Sequence, residues 1–123
     1  MTDSYAKGLD VFKEMVPGLI PDGATGLRDG GFADELGDMS VDHVFGALWT
    51  RPGLDRRSRS LVTLGALIAL RAGDELKYHV PIALRNGLTV EEIEEVIYHM
   101  AGYVGYPAAA TARNVAREVL ASS

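Results

Sequence analysis

No cysteine occurs among the 123 residues. That excludes disulfides, thiolate catalysis, peroxide reduction through a thiol and iron–sulfur ligation. It also fits a reducing compartment. Basic runs are absent: 12 lysines and arginines face 17 acids, for a net charge of −5. Such a chain has no electrostatic pull on nucleic acid, and a small anion must be held by locally placed cations. The longest mostly apolar run, Leu61 to Leu70, is roughly half the length that spans a bilayer. The start, MTDSYAKGLDVF, carries charges where a secretory signal needs an apolar run. These absences describe a soluble cytoplasmic protein without a nucleic-acid or membrane partner.

Strand alternation bounded by turn residues is also missing, so an all-α chain is expected, a single domain over residues 1–123. Leu9, Phe12 and Val16 give a first helix from Tyr5 to Val16, stopped by Pro17-Gly18. Residues 17 to 31, rich in Gly and Pro, read as a loop, either a plain connector or a pocket mouth. Phe32 to Thr50 reads as helix, with a break expected near Gly37 and Ser40 capping a second segment. Asp55 is a good N-cap for a helix from Arg56 to Arg71. Gly73 should end it and Asp74 should cap the next, Glu75 to Asn86, in which Pro81 predicts a kink. Thr89 and Glu92 form a capping-box pattern for a helix to about Tyr103. Pro107 suits the first turn of a last helix to Leu120. About six helices result, around a central hairpin of residues 55 to 86. Leu61, Leu64 and Ile68 give that hairpin its buried stripe. Val62, Ala66 and Ala69 are expected to widen it, as on a helix packed from both sides or at a subunit interface.

The sharpest chemical pair is Glu75 and His79. Four residues apart on a helix, they share one face. A carboxylate there can fix the imidazole tautomer and raise its pKa, which is minimum equipment for moving a proton near pH 7. The alternative is an ordinary surface ion pair. Five arginines, Arg51, Arg56, Arg57, Arg59 and Arg71, lie within the stretch 51 to 71, which contains no lysine. Planar forks suit carboxylates. Three of these arginines sit at a helix start, where the macrodipole disfavours cations. That placement points to an anionic partner, substrate or subunit. Trp49 lines a pocket or anchors a core. His99, with Glu95 and Tyr103 each four residues away, reads as structural, and His43 as surface. The three histidines show no metal-ligand spacing, so no metal is expected. Phosphate-cradling glycine motifs and a nucleophile elbow are absent.

The segments LWTRPGLDRRSRSLVTLGALIAL (48 to 70), DELKYHVPIALRNGLTVEEIEEV (74 to 96) and YVGYPAAATARNVA (103 to 116) resemble the carboxymuconolactone decarboxylase family over roughly the C-terminal two thirds. The resemblance implies the all-helical fold of alkylhydroperoxidase D-type proteins and a homo-oligomer of trimers or paired trimers. In the peroxidase branch a glutamate precedes Cys-x-x-Cys and a histidine. With that histidine placed on His79, the cysteine positions fall at Ala72 and Glu75 and the glutamate at Ser60, so thiol peroxidase activity is rejected. The decarboxylase branch removes CO2 from 4-carboxymuconolactone in protocatechuate breakdown. The resemblance implies His79 as proton donor and Glu75 as its orienting partner. It also implies arginines of the segment RRSRS (56 to 60) nearby, and Arg51, Arg57 or Arg59, with Trp49, are the expected substrate-binding side chains. No cofactor is needed, because the unsaturated lactone accepts the electrons. Two other readings stay open: another acid–base enzyme on the same scaffold, an isomerase or hydrolase, and a non-catalytic oligomeric binding protein.

Overall fold

The computed structural model describes residues 3–20 and 26–122, and the described residues contain helices and no strand. They divide between Leu54 and Asp55 into two compact units.

The first unit contains α1 (Asp3–Met15), α2 (Glu35–Ser40) and a π-helical segment (Val41–Leu48). Its core is aromatic. Phe12 meets Phe45 edge to face at 5.1 Å, and Trp49 stacks on Phe45 at 6.3 Å. α1 lies backbone to backbone against the π segment. A Cβ on Gly8 would fall 2.0 Å from the Val41 carbonyl oxygen, and one on Gly46 would fall 1.8 Å from the Ser4 carbonyl oxygen. Two glycines therefore permit a contact that any side chain would block.

The expected break at Gly37 and cap at Ser40 are not found. Ser40 is helical (φ −63°, ψ −44°) and makes no side-chain cap. Gly37 serves packing instead, since a Cβ there would sit 3.1 Å from the Leu27 side chain. The chain changes hydrogen-bond register at Val41, and the Trp49 N–H reaches back to the Val44 carbonyl at 2.9 Å. Of the expected loop, residues 21–25 lie outside the described residues.

The second unit contains α3 (Arg56–Ala69), α4 (Gly73–Arg85), α5 (Val90–Val104) and α6 (Tyr106–Ala121). Asp55 caps α3 by accepting from the Ser58 N–H at 2.7 Å, and that bond holds its carboxyl below the usual range. Thr89 and Glu92 close both halves of the capping box at α5. Pro107 stands in the first turn of α6. Leu64, Ile68, Leu76, Val80, Ala83 and Ile93 are at the centre of the core, with Ala112 and Ala116 of α6 closing over them. The small residues of α6 let that helix approach closely.

Two details of the α3–α4 turn differ from expectation. α3 ends through Arg71, not Gly73. Arg71 takes the left-handed conformation (φ 54°), donates to the Ile68 carbonyl, and lets the Ala72 N–H reach the Leu67 carbonyl. This is a Schellman closure with arginine at the position glycine usually fills. Only Ala72 is left to precede α4, so Gly73 is already helical and Asp74 lies in the first turn, where its charge suits the dipole. The outward side of α3 also differs. Val62 is 65% and Leu70 75% exposed, with Ala66 and Ala69 beside them. Those residues form an external apolar stripe instead of widening the buried one.

Candidate functional site

α4 carries Glu75 and His79. Its inner face is fixed by Leu76, Val80, Ile82 and Ala83, all buried. His79 stands at the edge of that face and is half-buried, while Glu75 one turn earlier is exposed. The helix continues through Pro81, whose missing N–H leaves one carbonyl of the preceding turn without its intrahelical donor. Burial pushes the His79 imidazole below the ordinary histidine range, because desolvation penalises the charged form. This corrects the expectation that Glu75 raises it: burial alone accounts for the shift. The resting His79 is therefore neutral at pH 7.

The arginines separate. Arg57, in the first turn of α3, pairs with the Glu92 carboxylate. Glu92 thus holds the Thr89 N–H with one oxygen and the Arg57 guanidinium with the other. The pair ties the start of α3 to the start of α5. Both side chains are more than a third exposed, so its contribution to stability is small. Arg59 is half-buried in the same turn. Arg51 and Trp49 belong to the first unit; Arg51 is exposed, and Trp49 is buried in the aromatic stack with Phe45.

Several features escaped the sequence reading. Ser60 is 1% exposed, and its Oγ accepts from the Asn86 amide at 3.0 Å. A serine inside an apolar helical stripe was the available signal. In the first unit Asp38 gathers the Tyr5 hydroxyl at 2.8 Å, the Leu27 N–H at 3.1 Å and the Arg28 Nε at 3.0 Å. The Leu27 N–H is the main reason that Asp38 is held below the usual carboxylate range. Tyr5 is raised to about 12, first by burial and then by Asp38. His99 is exposed and tilts against the Tyr103 ring at 5.1 Å.

Two open grooves mark the second unit. One, about 470 Å³, runs between α5 and α6 past Ile97, Tyr98, Arg113 and Arg117. The other, about 500 Å³, lies between α3 and α5 beside Gly65, Glu95, His99 and Met100. Neither is lined by Glu75 or His79. Among the described residues no group of His, Asp and Glu is arranged to hold a metal ion, and no helix is long and apolar enough to cross a membrane.

What α4 offers is a neutral imidazole at the edge of an apolar wall, with a carboxylate one turn away. That equipment can hold or transfer one proton.

Comparison with known proteins gives the chain's family. The carboxymuconolactone decarboxylase family matches residues 34–118. The chain is 45% identical over 116 residues to the 4-carboxymuconolactone decarboxylase of Acinetobacter baylyi, covering 94% of this chain and 85% of that protein. It is 40% identical over 83 residues to the nitrosuccinic acid decarboxylase of Metarhizium robertsii, covering 68% of this chain and 58% of that protein. An uncharacterized 15.0 kDa protein of Paracoccus denitrificans is 38% identical over 79 residues, 63% of this chain and 59% of that protein. With most of its helical second unit inside the matched span, the chain belongs to the carboxymuconolactone decarboxylase family.

Proposed function

We propose that this protein is a carboxy-lyase that removes CO2 from 4-carboxymuconolactone or a related unsaturated lactone acid. The observation that carries this reading is the 45% identity along 94% of the chain to a decarboxylase of that substrate. The chain's lack of cysteine argues against the thiol chemistry of the peroxidase branch.

In this reading the C–CO2 bond breaks and its electron pair spreads into the unsaturated lactone as a dienolate. The lactone is itself the electron sink. His79 delivers one proton to carbon and is reloaded from solvent, so each turnover consumes one proton. Arriving carboxylates favour the imidazolium, which loads His79 as the substrate binds. Glu75 orients the ring, while Arg51, Arg57 or Arg59 holds carboxylate or enolate through a planar fork, with Trp49 as an apolar wall. Arg57 already accepts one carboxylate, that of Glu92.

The protein acts as a cytoplasmic homo-oligomer, a trimer or a pair of trimers. The exposed apolar stripe of Val62, Ala66, Ala69 and Leu70 supports association of copies.

The test is CO2 release from 4-carboxymuconolactone by the purified protein beside its His79→Ala variant. Circular dichroism and gel filtration establish that both are folded. Turnover that vanishes in the variant is the expected result. A folded wild-type protein without turnover would overturn the reading, and an unimpaired variant would remove His79 from the mechanism.

A second reading is favoured by the 40% identity to a decarboxylase of nitrosuccinic acid. That acid also brings its own sink. Only the carboxylate on the nitro-bearing carbon can leave its electrons in a nitronate, while the other carboxylate remains, one methylene away.

A further inference from the structure

We infer that the groove between α5 and α6 receives the acidic, apolar segment around α2 of a second copy of this chain. The inference rests on the homo-oligomer reading above and names the two surfaces that meet.

The groove encloses about 470 Å³. Ile93, Ala109 and Ala116 are buried at its floor, and Val90, Tyr98 and Tyr106 are exposed along its walls. Tyrosines over an apolar floor are the composition of a protein-binding surface. Arg113 and Arg117 line the α6 side, four residues apart and exposed. Like charges at that spacing repel each other. Arg113 donates to the Asn114 side-chain oxygen. Among the described residues neither guanidinium meets a carboxylate. The stretch 96–117 contains both arginines and no acid, and Glu94 is the single acid of the lining. The groove therefore fits an occupant with apolar anchors and negative charge beside them.

The first unit displays such a segment. Phe32, in the turn before α2, is 104% exposed, and Leu36 and Met39 on α2 are 68% and 64% exposed. Single exposed apolar side chains are ordinary, but three large ones within residues 32–39 make a patch. Their spacings, four and three residues, are those of the anchors of a helix laid in a groove. Residues 29–42 contain five acids and no lysine or arginine. Arg28, at the edge of this segment, meets Glu35 and Asp38 and offsets one of the five charges.

The distribution of charge selects which surfaces meet. Residues 1–54 hold nine acids against four lysines and arginines, whereas residues 55–123 hold eight of each. Two first units repel each other, so copies associate through unlike units. Such a contact is heterologous: each copy offers its segment to one neighbour and its groove to another, and the chain of contacts closes as a ring. Val62 and Leu70 of α3 are not part of the groove lining. Their exposed stripe is left for a like-to-like contact between two rings.

The chain contains no cysteine, so each introduced thiol is unique. Two full-length variants, Leu36→Cys and Ala110→Cys, are given different tags, co-expressed, purified through both tags in turn and oxidised. Sedimentation gives the mass of the assembly, and mass spectrometry locates the disulfide. Each copy has one thiol, so any disulfide joins two chains. The expected product links position 36 of one chain to position 110 of the other, at about tenfold or more the yield of Leu36→Cys paired with Val62→Cys. Adding Arg113→Glu and Arg117→Glu to the Ala110→Cys chain should lower that yield about tenfold, with circular dichroism showing the helices intact. An oligomer in which the 36–110 link is absent, no more frequent than the 36–62 link, or insensitive to the charge reversal overturns the inference and leaves the homo-oligomer reading standing. A wild-type protein that sediments as a monomer overturns both.

Discussion

The Asn86 amide donates to the Ser60 hydroxyl at 3.0 Å, joining the first turns of α3 to the end of α4. Ser60 is among the fully buried side chains of the protein. Ser60→Ala removes the acceptor and leaves a half-buried amide N–H unsatisfied, which costs about 1–2 kcal/mol. Urea unfolding should show a lower midpoint with an unchanged slope. An unchanged midpoint would mean that water satisfies Asn86 as well as Ser60 does.

Gly8 and Gly46 should tolerate no side chain. A methyl group at either position meets backbone oxygen at about half of normal contact distance, 2.0 Å and 1.8 Å. Gly8→Ala and Gly46→Ala are each expected to destabilise the first unit by about 1–3 kcal/mol or more, because rigid backbone must move. Gly53, where a Cβ meets nothing within 4 Å, is the control. Thermal melts in which Gly8→Ala matches Gly53→Ala would contradict the close approach of α1 to the π segment.

Arg71 and Gly87 occupy the same position in two successive Schellman closures, with φ of 54° and 102°. Only the second has the residue that takes this conformation without steric penalty. Arg71→Gly should therefore stabilise the chain by about 1 kcal/mol and Gly87→Ala should destabilise it by a similar amount. Chemical denaturation of both variants measures the pair. A loss of stability in Arg71→Gly would show that the arginine side chain contributes more than its backbone costs.

His79 should make folding stability depend on pH in the acid direction. Burial lowers its folded-state pKa below the ordinary histidine value of about 6.5, which the unfolded chain retains. Below that value the unfolded chain binds a proton that the folded chain resists. Stability from this group is thus fully present above about pH 6.5 and is lost as pH falls through the folded pKa. His79→Gln should flatten that part of the profile. Equal pH dependence in the variant between pH 7.5 and 5 would assign the effect to other groups. Proton uptake on substrate binding, read by calorimetry in buffers of different ionisation enthalpy, should likewise disappear in His79→Gln.

Much of this protein is legible along the chain because the signals are local. Asp55 before Arg56, Thr89 three residues before Glu92, and Pro107 after Gly105 each define a helix start within one turn, and the structure keeps all three. The family is legible for the same reason, in three uninterrupted segments. Gly37 misled because glycine has two uses. A break and a close approach to a neighbour leave the same letter, and only the neighbour, Leu27, distinguishes them.

The sequence by itself determined an all-helical, cysteine-free chain whose helix ends, apolar stripes and Glu75–His79 spacing follow from short-range hydrogen bonding and periodicity. Tertiary structure alone decided what those residues experience. It left Glu75 in solvent and pressed His79 into an apolar wall, so desolvation set the imidazole low where spacing predicted a rise. It gave Arg57 to Glu92 and Ser60 to Asn86, partners 35 and 26 residues away in sequence. It also turned Val62 and Leu70 outward. The physical reason is that burial and pairing energies depend on distances through space, and no periodicity along the chain encodes which turn of one helix will lie against which turn of another.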